Sequence, residues 1–181
     1  MIYTSYFKTP YGELIIGSHK GQLCLCDWRY RRSRTTIDKR IKSALNSEYF
    51  PLEEDDEITL QTKTQLEEYW NGIRKVFTIP FILSGTDFQR SVWDELLLIP
   101  YGTTSTYLAQ SLKLNNKEAI RAVASANGAN AISIIVPCHR IIGSNNDLVG
   151  YAGGLRVKSS LIKLENPSFN FKPVQLELDL K

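Results

Sequence analysis

The sequence has no long apolar run, few cysteines and little net charge. It contains no stretch of 18 or more consecutive apolar residues, which excludes a membrane-spanning helix of ordinary length. Its three cysteines are an odd number and give no disulfide framework. The N-terminal segment lacks the basic start and apolar core of a signal peptide. We therefore expect a protein of the reducing cytoplasm with no membrane partner.

The net charge of +3 is too small to indicate a nucleic-acid partner by itself. The charge is unevenly distributed, however, because residues 115–163 carry six Lys and Arg side chains and only two acidic ones. Such a stretch suits contacts with phosphate groups. A solvated basic face is the alternative interpretation.

The composition is that of a globular protein, with 43% hydrophobic and 23% charged residues among 181. The first half predicts a small α/β scaffold over residues 1–84. Strands are predicted at residues 3–8, 14–17, 23–28 and 76–81, and helices at residues 36–45 and before Asn71-Gly72. The basic run at residues 29–34 reads as a solvated loop.

The second half, residues 85–165, is predicted to be mainly helical. Thr86 and Gln89 have the spacing of a capping box, so a helix should begin there. Helices at residues 106–114 and 117–126, separated by Asn115-Asn116, form a helix-turn-helix candidate, although any helical hairpin would fit. Residues 166–181 form a tail that docks on the body or on a partner.

Residues 134–142 form an apolar run that carries Cys138 and His139. A thiol is nucleophilic only as thiolate, so it needs a base or a positive field nearby. Adjacent residues on an extended chain point to opposite faces, so His139 would reach Cys138 through a bend at Pro137 or through a water molecule. A buried cysteine beside a satisfied histidine is the alternative.

Pro137-Cys138-His139-Arg140 resembles the active-site signature of the methylated-DNA–protein-cysteine methyltransferases, the O6-alkylguanine-DNA alkyltransferases. The resemblance is dense over residues 84–165 and extends to the N-terminal part only in general layout. Further matches are Thr86, Phe88, Gln89, Val92, Trp93, Ile99-Pro100-Tyr101-Gly102, Arg121-Ala122-Val123, Asn130, Gly150-Tyr151, Gly153-Gly154-Leu155, Lys158 and Leu164-Glu165.

The resemblance implies an α+β protein with a ribonuclease H-like N-terminal α/β domain. Its C-terminal domain would be mainly helical, with a winged-helix-like helix-turn-helix. The implied partner is double-stranded DNA containing O6-alkylguanine, bound through the minor groove. The protein would flip the damaged base and transfer the alkyl group irreversibly to Cys138, once per molecule and without a cofactor. O4-alkylthymine as a second substrate and cooperative binding on DNA stay open, and we expect a monomer in solution.

The resemblance also implies catalytic roles. His139 would withdraw the thiol proton through a water molecule, with Glu165 orienting the imidazole. Tyr107 would donate a proton toward the leaving guanine and lie near its 3′ phosphate. Asn130 would tie the DNA-binding helix to the turn at Cys138. The alternatives are a solvated helix end for Glu165 and a half-buried aromatic for Tyr107.

For DNA, Arg121 resembles the family's arginine finger, which enters the base stack in place of the flipped nucleotide. The small residues near it would let the helix approach the groove, or would equally allow tight helix packing. The implied DNA contacts are Arg121, Tyr107, Ala122, Lys117 and Ser125. The implied substrate pocket comprises Val136, Pro137, Val149, Gly150, Tyr151, Ala152, Gly153 and Lys158, of which Lys158 has an exposed lysine as its alternative.

Several residues depart from the family pattern. Ala131 and Lys117 replace prolines, and Ser111 replaces an alanine, which leaves DNA affinity and context open. Ala152 at the pocket rim is expected to leave room for groups larger than methyl. Cys24 and Cys26, with His19 nearby, are interpreted as strand residues and not as a zinc site, since neighbours on one strand face lie about 7 Å apart.

Two other classes of function compete with alkyl transfer. A DNA-binding protein that recognises damage without transfer would use the same pocket, but such relatives lack the cysteine that stands here as Cys138. A cysteine hydrolase would use Cys138, His139 and Glu165 and turn over repeatedly. No oxyanion-hole motif is evident for it.

Overall fold

A computed structural model describes residues 1–171, which form two compact units. The first unit comprises residues 1–86 together with Ala131–Ile135. The second unit comprises Asp87–Asn130 and residues 136–171. The leucine-containing part of the predicted tail, residues 172–181, lies outside the described residues.

The first unit is built on a four-stranded sheet. The strands are β1 (Ile2–Thr9), β2 (Gly12–His19), β3 (Gln22–Trp28) and β4 (Tyr49–Pro51). Hydrogen bonds order them β3-β2-β1-β4, with β4 parallel to β1 and the other pairs antiparallel. The first three confirm the predicted strands, which short turns join into a meander.

Two helices accompany this sheet, α1 (Arg34–Leu45) and α2 (Glu57–Trp70). Helix α1 buries Ile37 and Ile41 in an apolar cluster with residues of the sheet. Asp56 caps α2 by accepting a hydrogen bond from the Thr59 amide at 2.8 Å. Helix α2 ends where Asn71-Gly72 predicted it to end.

The prediction of a strand at residues 76–81 is wrong, because the structure has no regular strand there. Only Phe81 forms a bridge, to Leu23, supported by hydrogen bonds from Leu23 N to Pro80 O and from Ile82 N to Leu23 O. Pro80 has no N–H to contribute to a ladder, and Val76 is 72% exposed. The Thr78 amide donates to the Gln65 side chain at 2.9 Å and not to a strand, so the segment has one face turned inward but no regular ladder.

The solvated loop expected at residues 29–34 is also wrong in part. The Asp27 carboxylate is fully buried, and it accepts hydrogen bonds from Arg31 Nη1 at 2.7 Å and Arg34 Nη1 at 2.9 Å. Arg34 is the first residue of α1. Two arginines of the run thus neutralise a carboxylate that could not be buried alone.

The second unit contains four helices among the described residues. They are α3 (Asp87–Leu97), α4 (Tyr107–Lys113), α5 (Ile120–Gly128) and α6 (Leu155–Glu165), with a short parallel pair formed by β5 (Ser105–Thr106) and β6 (Ile141–Ile142). Helix α3 begins directly after Thr86, as predicted. Two compact units, one with a sheet and one mainly helical, confirm the α+β class.

The predicted helical pair is present as α4 and α5. The predicted second helix, residues 117–126, is divided into a 3₁₀ turn at Lys117–Ala119 and α5. Buried polar side chains join the helices. Asn127 Nδ2 donates to Gln110 Oε1 at 2.7 Å, and Gln110 Nε2 donates to Val92 O at 2.9 Å.

The described start of the tail packs on the second unit. Phe169 and Phe171 lie against a cluster of Ile142, Leu148 and Ile162. The first residues of the tail therefore dock on this protein itself, which is one of the two alternatives considered for the tail.

No helix within residues 1–171 is long and apolar enough to cross a membrane.

Trp93 supports the helical unit, and its replacement tests this packing. Its ring is 2% exposed, and Nε1 donates to Ala126 O at 2.8 Å. We expect Trp93→Phe to lower the free energy of unfolding by about 2 kcal/mol, because a hydrogen bond is lost and a cavity is left. Urea denaturation followed by circular dichroism measures the change.

Trp70→Phe is the matched control. Trp70 Nε1 is buried and has no hydrogen-bond partner within residues 1–171. The same substitution there removes an unsatisfied donor, so a smaller cost is expected. Equal costs at the two positions would contradict the role given to the Trp93–Ala126 bond.

Candidate active site

Cys138 lies in a buried turn and not on an extended strand. Residues Cys138–Arg140 form a single 3₁₀ turn, closed by a hydrogen bond from Arg140 N to Pro137 O at 3.0 Å. The bend foreseen at Pro137 is therefore present, and the extended path ends before the cysteine. Cys138 is 7% exposed and β6 follows at once.

Asn130 connects the end of α5 to this turn. Its side chain is buried, and Nδ2 donates to Val136 O at 2.8 Å and to Cys138 Sγ at 3.3 Å. The contact is the one expected between the helix that ends at Gly128 and the cysteine turn. An N–H directed at sulfur stabilises negative charge that develops there.

A buried hydrogen-bonded group links His139 to the end of α6. His139 Nε2 and Glu165 Oε1 are 2.8 Å apart, and Arg140 donates to both Glu165 oxygens, from Nε at 2.8 Å and Nη2 at 2.9 Å. Gly102 N also donates to Glu165 Oε2, at 3.1 Å. The solvated helix end considered for Glu165 is therefore wrong, since this residue is 8% exposed and fully engaged.

The protonation states of this group follow from its charges. Burial by itself raises the pKa of Glu165, but hydrogen bonds from His139 and Arg140, together with the Arg140 charge, outweigh it and hold that pKa below its usual range. Burial lowers the pKa of His139, with Glu165 opposing and Arg140 adding to the shift. Glu165 is therefore a carboxylate paired with Arg140, and His139 is neutral at pH 7.

The free nitrogen of His139 follows from this assignment. Because the Glu165 carboxylate accepts the Nε2 proton, Nδ1 carries the lone pair. Nδ1 is buried and has no hydrogen-bond partner within residues 1–171. This arrangement is that of a general base held by an orienting carboxylate.

Arg140 and Gly102 received no role from the sequence. The position of Arg140 inside the Pro-Cys-His-Arg motif could have indicated its role at the site. Its Nη1 also donates to Ile99 O at 2.6 Å. Gly102 has φ +77°, and a Cβ there would lie 3.0 Å from Glu165 O. A glycine at this position lets the chain approach Glu165 closely.

Lys158 is fully buried, so the exposed lysine considered for it is wrong. Its Nζ donates to Val149 O at 2.6 Å and to Gly150 O at 3.1 Å. Burial lowers its pKa to about 8, while the neighbouring Cys138 acts in the opposite direction. Lys158 therefore ties α6 to the loop at Val149 and Gly150 and lies near the sulfur.

Tyr107, the first residue of α4, faces the same loop. Its Oη donates to Val149 O at 3.3 Å. A Cβ on Gly150 would lie 3.8 Å from Tyr107 Oη. Burial raises the pKa of Tyr107 to about 12, and Cys138 adds to the shift. The phenol therefore remains protonated and can donate.

The other predicted pocket residues surround this turn and loop. The ring of Tyr151 lies 6.4 Å from that of His139, nearly perpendicular to it. Val136 and Pro137 are buried beside Cys138, Val149 and Gly150 are exposed, and Ala152 and Gly153 are half-buried.

The predicted DNA contacts lie on the exposed face of the helical pair. Arg121, Ala122 and Ser125 occupy positions of α5 that share one face, and all three are exposed. Lys117 is exposed in the preceding 3₁₀ turn. Ser111, by contrast, is fully buried and donates to Leu108 O, so it does not present a group to DNA.

The remaining cysteines are buried in β3. Burial raises the pKa of both thiols, that of Cys24 to about 12, so they are poor nucleophiles. His19 Nδ1 lies 2.9 Å from Met1 O. Within residues 1–171, no group of three or more His, Cys, Asp or Glu side chains is placed to hold a metal ion.

Two family models match consecutive parts of the chain. Residues 1–83 match the ribonuclease-like domain of 6-O-methylguanine DNA methyltransferase, and residues 87–167 match its DNA binding domain. The chain belongs to the 6-O-methylguanine DNA methyltransferase family. The resemblance read from the Pro-Cys-His-Arg motif is confirmed, and so is the ribonuclease-like fold of the N-terminal part.

Relatives within the methyltransferase family match nearly the whole chain. A methylated-DNA–protein-cysteine methyltransferase of Methanosarcina mazei is 46% identical and covers 91% of this chain and 97% of its own length. The constitutive enzyme of Bacillus subtilis is 35% identical over 95% of this chain and all of its own. The solved structure of Mycobacterium tuberculosis OGT in complex with DNA is similar, with TM-score 0.78, 35% identity and coverage of 91% and 93%.

The buried Lys158 predicts a pH dependence of stability. Between about pH 8 and 10.5 the unfolded chain holds a proton on Lys158 that the folded chain has released. Lys158 therefore contributes a free energy of unfolding that rises with pH across this window, and comparison with a variant lacking the amine isolates that contribution. Relative to Lys158→Met, the native protein should gain up to about 3 kcal/mol, measured by urea denaturation at each pH.

Lys163→Met is the matched control, because Lys163 lies exposed on the same helix. The free energy of unfolding of Lys163→Met should change with pH in the same way as that of the native protein across the window. Parallel curves for Lys158→Met as well would show that Lys158 is charged in the folded state up to pH 10.5.

Proposed function

We propose that this protein repairs DNA by transferring an alkyl group from O6 of guanine to Cys138 Sγ. The observation that carries the proposal is the neutral His139, held by Glu165 with its Nδ1 lone pair unused, in the residue next to a buried cysteine. Membership of the methyltransferase family, whose curated relatives are named for this reaction, supports the same conclusion.

In the proposed reaction the sulfur attacks the saturated carbon of the alkyl group. The bond from that carbon to O6 breaks as the bond to sulfur forms. His139 Nδ1 takes the thiol proton through a water molecule, and the resulting imidazolium is stabilised by Glu165. Asn130 Nδ2 stabilises the charge on sulfur before transfer.

The leaving guanine must receive a proton to depart as a neutral base. Tyr107 is the proposed donor, because its Oη lies at the loop that forms the proposed pocket, and the proton that His139 took from the thiol then passes through water to restore the phenol. Lys158 holds the Val149 and Gly150 carbonyls and so fixes the loop that would face the flipped base. Val136, Pro137, Tyr151, Ala152 and Gly153 complete the proposed pocket.

Double-stranded DNA is the proposed partner. Arg121, Ala122 and Ser125 form an exposed face with one cation and two small side chains, which suits a helix lying close to a groove. Lys117 adds a second cation for phosphate. The Mycobacterium tuberculosis relative was solved in complex with DNA.

The proposed reaction needs no cofactor and occurs once per molecule. The alkyl group comes from the lesion itself, and the thioether product is a poor leaving group. We also propose that residues 1–84 and 85–165 act as the scaffold and DNA-binding domains of a cytoplasmic monomer.

The first test of this function is the intact mass of the protein after incubation with excess duplex DNA carrying one O6-methylguanine. We expect the mass to rise by a single methyl group, located on Cys138 by peptide mapping. Cys138→Ser should bind the same duplex without acquiring the methyl group.

Other outcomes would favour the competing functions. Tight binding of the lesion by an unmodified native protein would indicate damage recognition without transfer. Repeated turnover of an ester with no lasting adduct would indicate a cysteine hydrolase.

Glu165→Gln tests the general-base arrangement. The neutral amide of glutamine cannot form an ion pair with Arg140 or stabilise a positive charge on His139. We therefore expect the maximal single-turnover rate of methyl transfer to fall about a hundredfold. The affinity for the duplex should stay unchanged, because Glu165 is buried away from solvent. Rapid-quench measurement of methyl transfer at increasing protein concentration separates the rate from the affinity.

Glu67→Gln, on an exposed position of α2, is the control for the same substitution. It should transfer at the native rate. A Glu165→Gln variant that transfers equally fast would remove Glu165 from the mechanism.

A further inference from the structure

The segment Ala131–Ile135 belongs to the first unit, although peptide bonds join it to Asn130 and Val136 of the site. It pairs with the end of β3 through main-chain hydrogen bonds, from Cys26 N to Ala131 O at 2.9 Å and from Ser133 N to Cys26 O at 2.6 Å. The cysteine turn thus follows, two residues later, a five-residue segment whose first three residues pair with β3.

A side-chain hydrogen bond fixes the same segment. Ser133 is fully buried, and its Oγ donates to Asp27 Oδ1 at 3.0 Å, across a sequence separation of 106 residues. Asp27 Oδ1 also accepts from Trp28 N at 2.9 Å. The two arginines on Oδ2 hold the carboxylate in place, so Ser133 is bound to a fixed, buried anion.

The next residue has a costly backbone conformation. Ile134 has φ +73°, in the left-handed region that β-branched residues rarely adopt. Ile135 N donates to Ser133 O at 2.9 Å, which closes a three-residue turn around Ile134. Such a conformation persists only where the surrounding structure enforces it.

We propose that Asp27 and Ser133 are positioning residues for alkyl transfer, which hold the strained turn at Ile134 and thereby set the backbone that leads to Cys138. The inference rests on the proposed function for its effect on rate. Asp27 and Ser133 act through the chain, because four residues separate Ser133 from Cys138. A small displacement of a nucleophile is sufficient to slow a reaction strongly.

Ser133→Ala tests the proposal, because it removes the hydroxyl donor and leaves the main-chain pairing possible. Single-turnover methyl transfer is measured at increasing protein concentration on duplex containing O6-methylguanine. The expected result is a maximal rate about tenfold lower with the affinity for DNA unchanged, since a misplacement of about 1 Å can cost about a hundredfold. The end-point of the reaction counts the molecules able to react, so partial unfolding does not lower the rate assigned to them.

Ser18→Ala is the matched control. Ser18 is also buried in the first unit and donates to an aspartate, Asp56, which caps α2. It should reduce stability without changing the maximal rate. Ser133→Thr, which keeps the hydroxyl, should restore the native rate.

Amide hydrogen exchange gives a second readout that needs no DNA. In Ser133→Ala the amides of Ser133 and Ile135 should exchange faster than in the native protein, while those within α6 stay protected. A native protein that transfers no methyl group would refute the proposed function, and the exchange rates would still test the Asp27–Ser133 contact. Native transfer rates in Ser133→Ala, or equal slowing in Ser18→Ala, would overturn the positioning role alone.

Discussion

The pairing of Glu165 with Arg140 is the interaction on which the site depends. Burying a lone carboxylate is costly, and Arg140 removes that cost by donating to both oxygens. Because the arginine already balances the carboxylate, His139 can stay neutral while its Nε2–H is held by Glu165. His139 Nδ1 can therefore accept a proton in the proposed reaction, and the imidazolium formed would have the Glu165 carboxylate beside it.

Burial and hydrogen bonding also fix the protonation states of Lys158 and Tyr107. Lys158 is a second buried cation, held by two loop carbonyls, with its pKa lowered to about 8 by burial. Tyr107 keeps its proton because the same dry surroundings disfavour the phenolate. Donors and acceptors around the sulfur thus keep the states that the proposed transfer requires at neutral pH.

Much of the fold was accessible from sequence periodicity and turn residues. The meander of β1 to β3, the end of α2 and the start of α3 follow from local patterns that tertiary packing did not override. The strand expected at residues 76–81 failed because Pro80 interrupts the donors, and its pairing depended on partners far away in sequence. The run at residues 134–142 had strand-like composition, yet Pro137 and the turn at Ile134 break it into separate pieces.

The sequence by itself determined the family and placed the proposed nucleophile beside a histidine, since both residues lie within one short motif. Only the tertiary structure decided the surroundings of Glu165 and Lys158, whose local patterns are those of an exposed helix end and an exposed lysine. Their burial depends on groups brought from other segments, namely Arg140 and Gly102 for one and the Val149 and Gly150 carbonyls for the other. A charged side chain is buried only where it is paired, and here its partners come from segments distant in sequence. The local sequence around the charged residue therefore does not predict its burial.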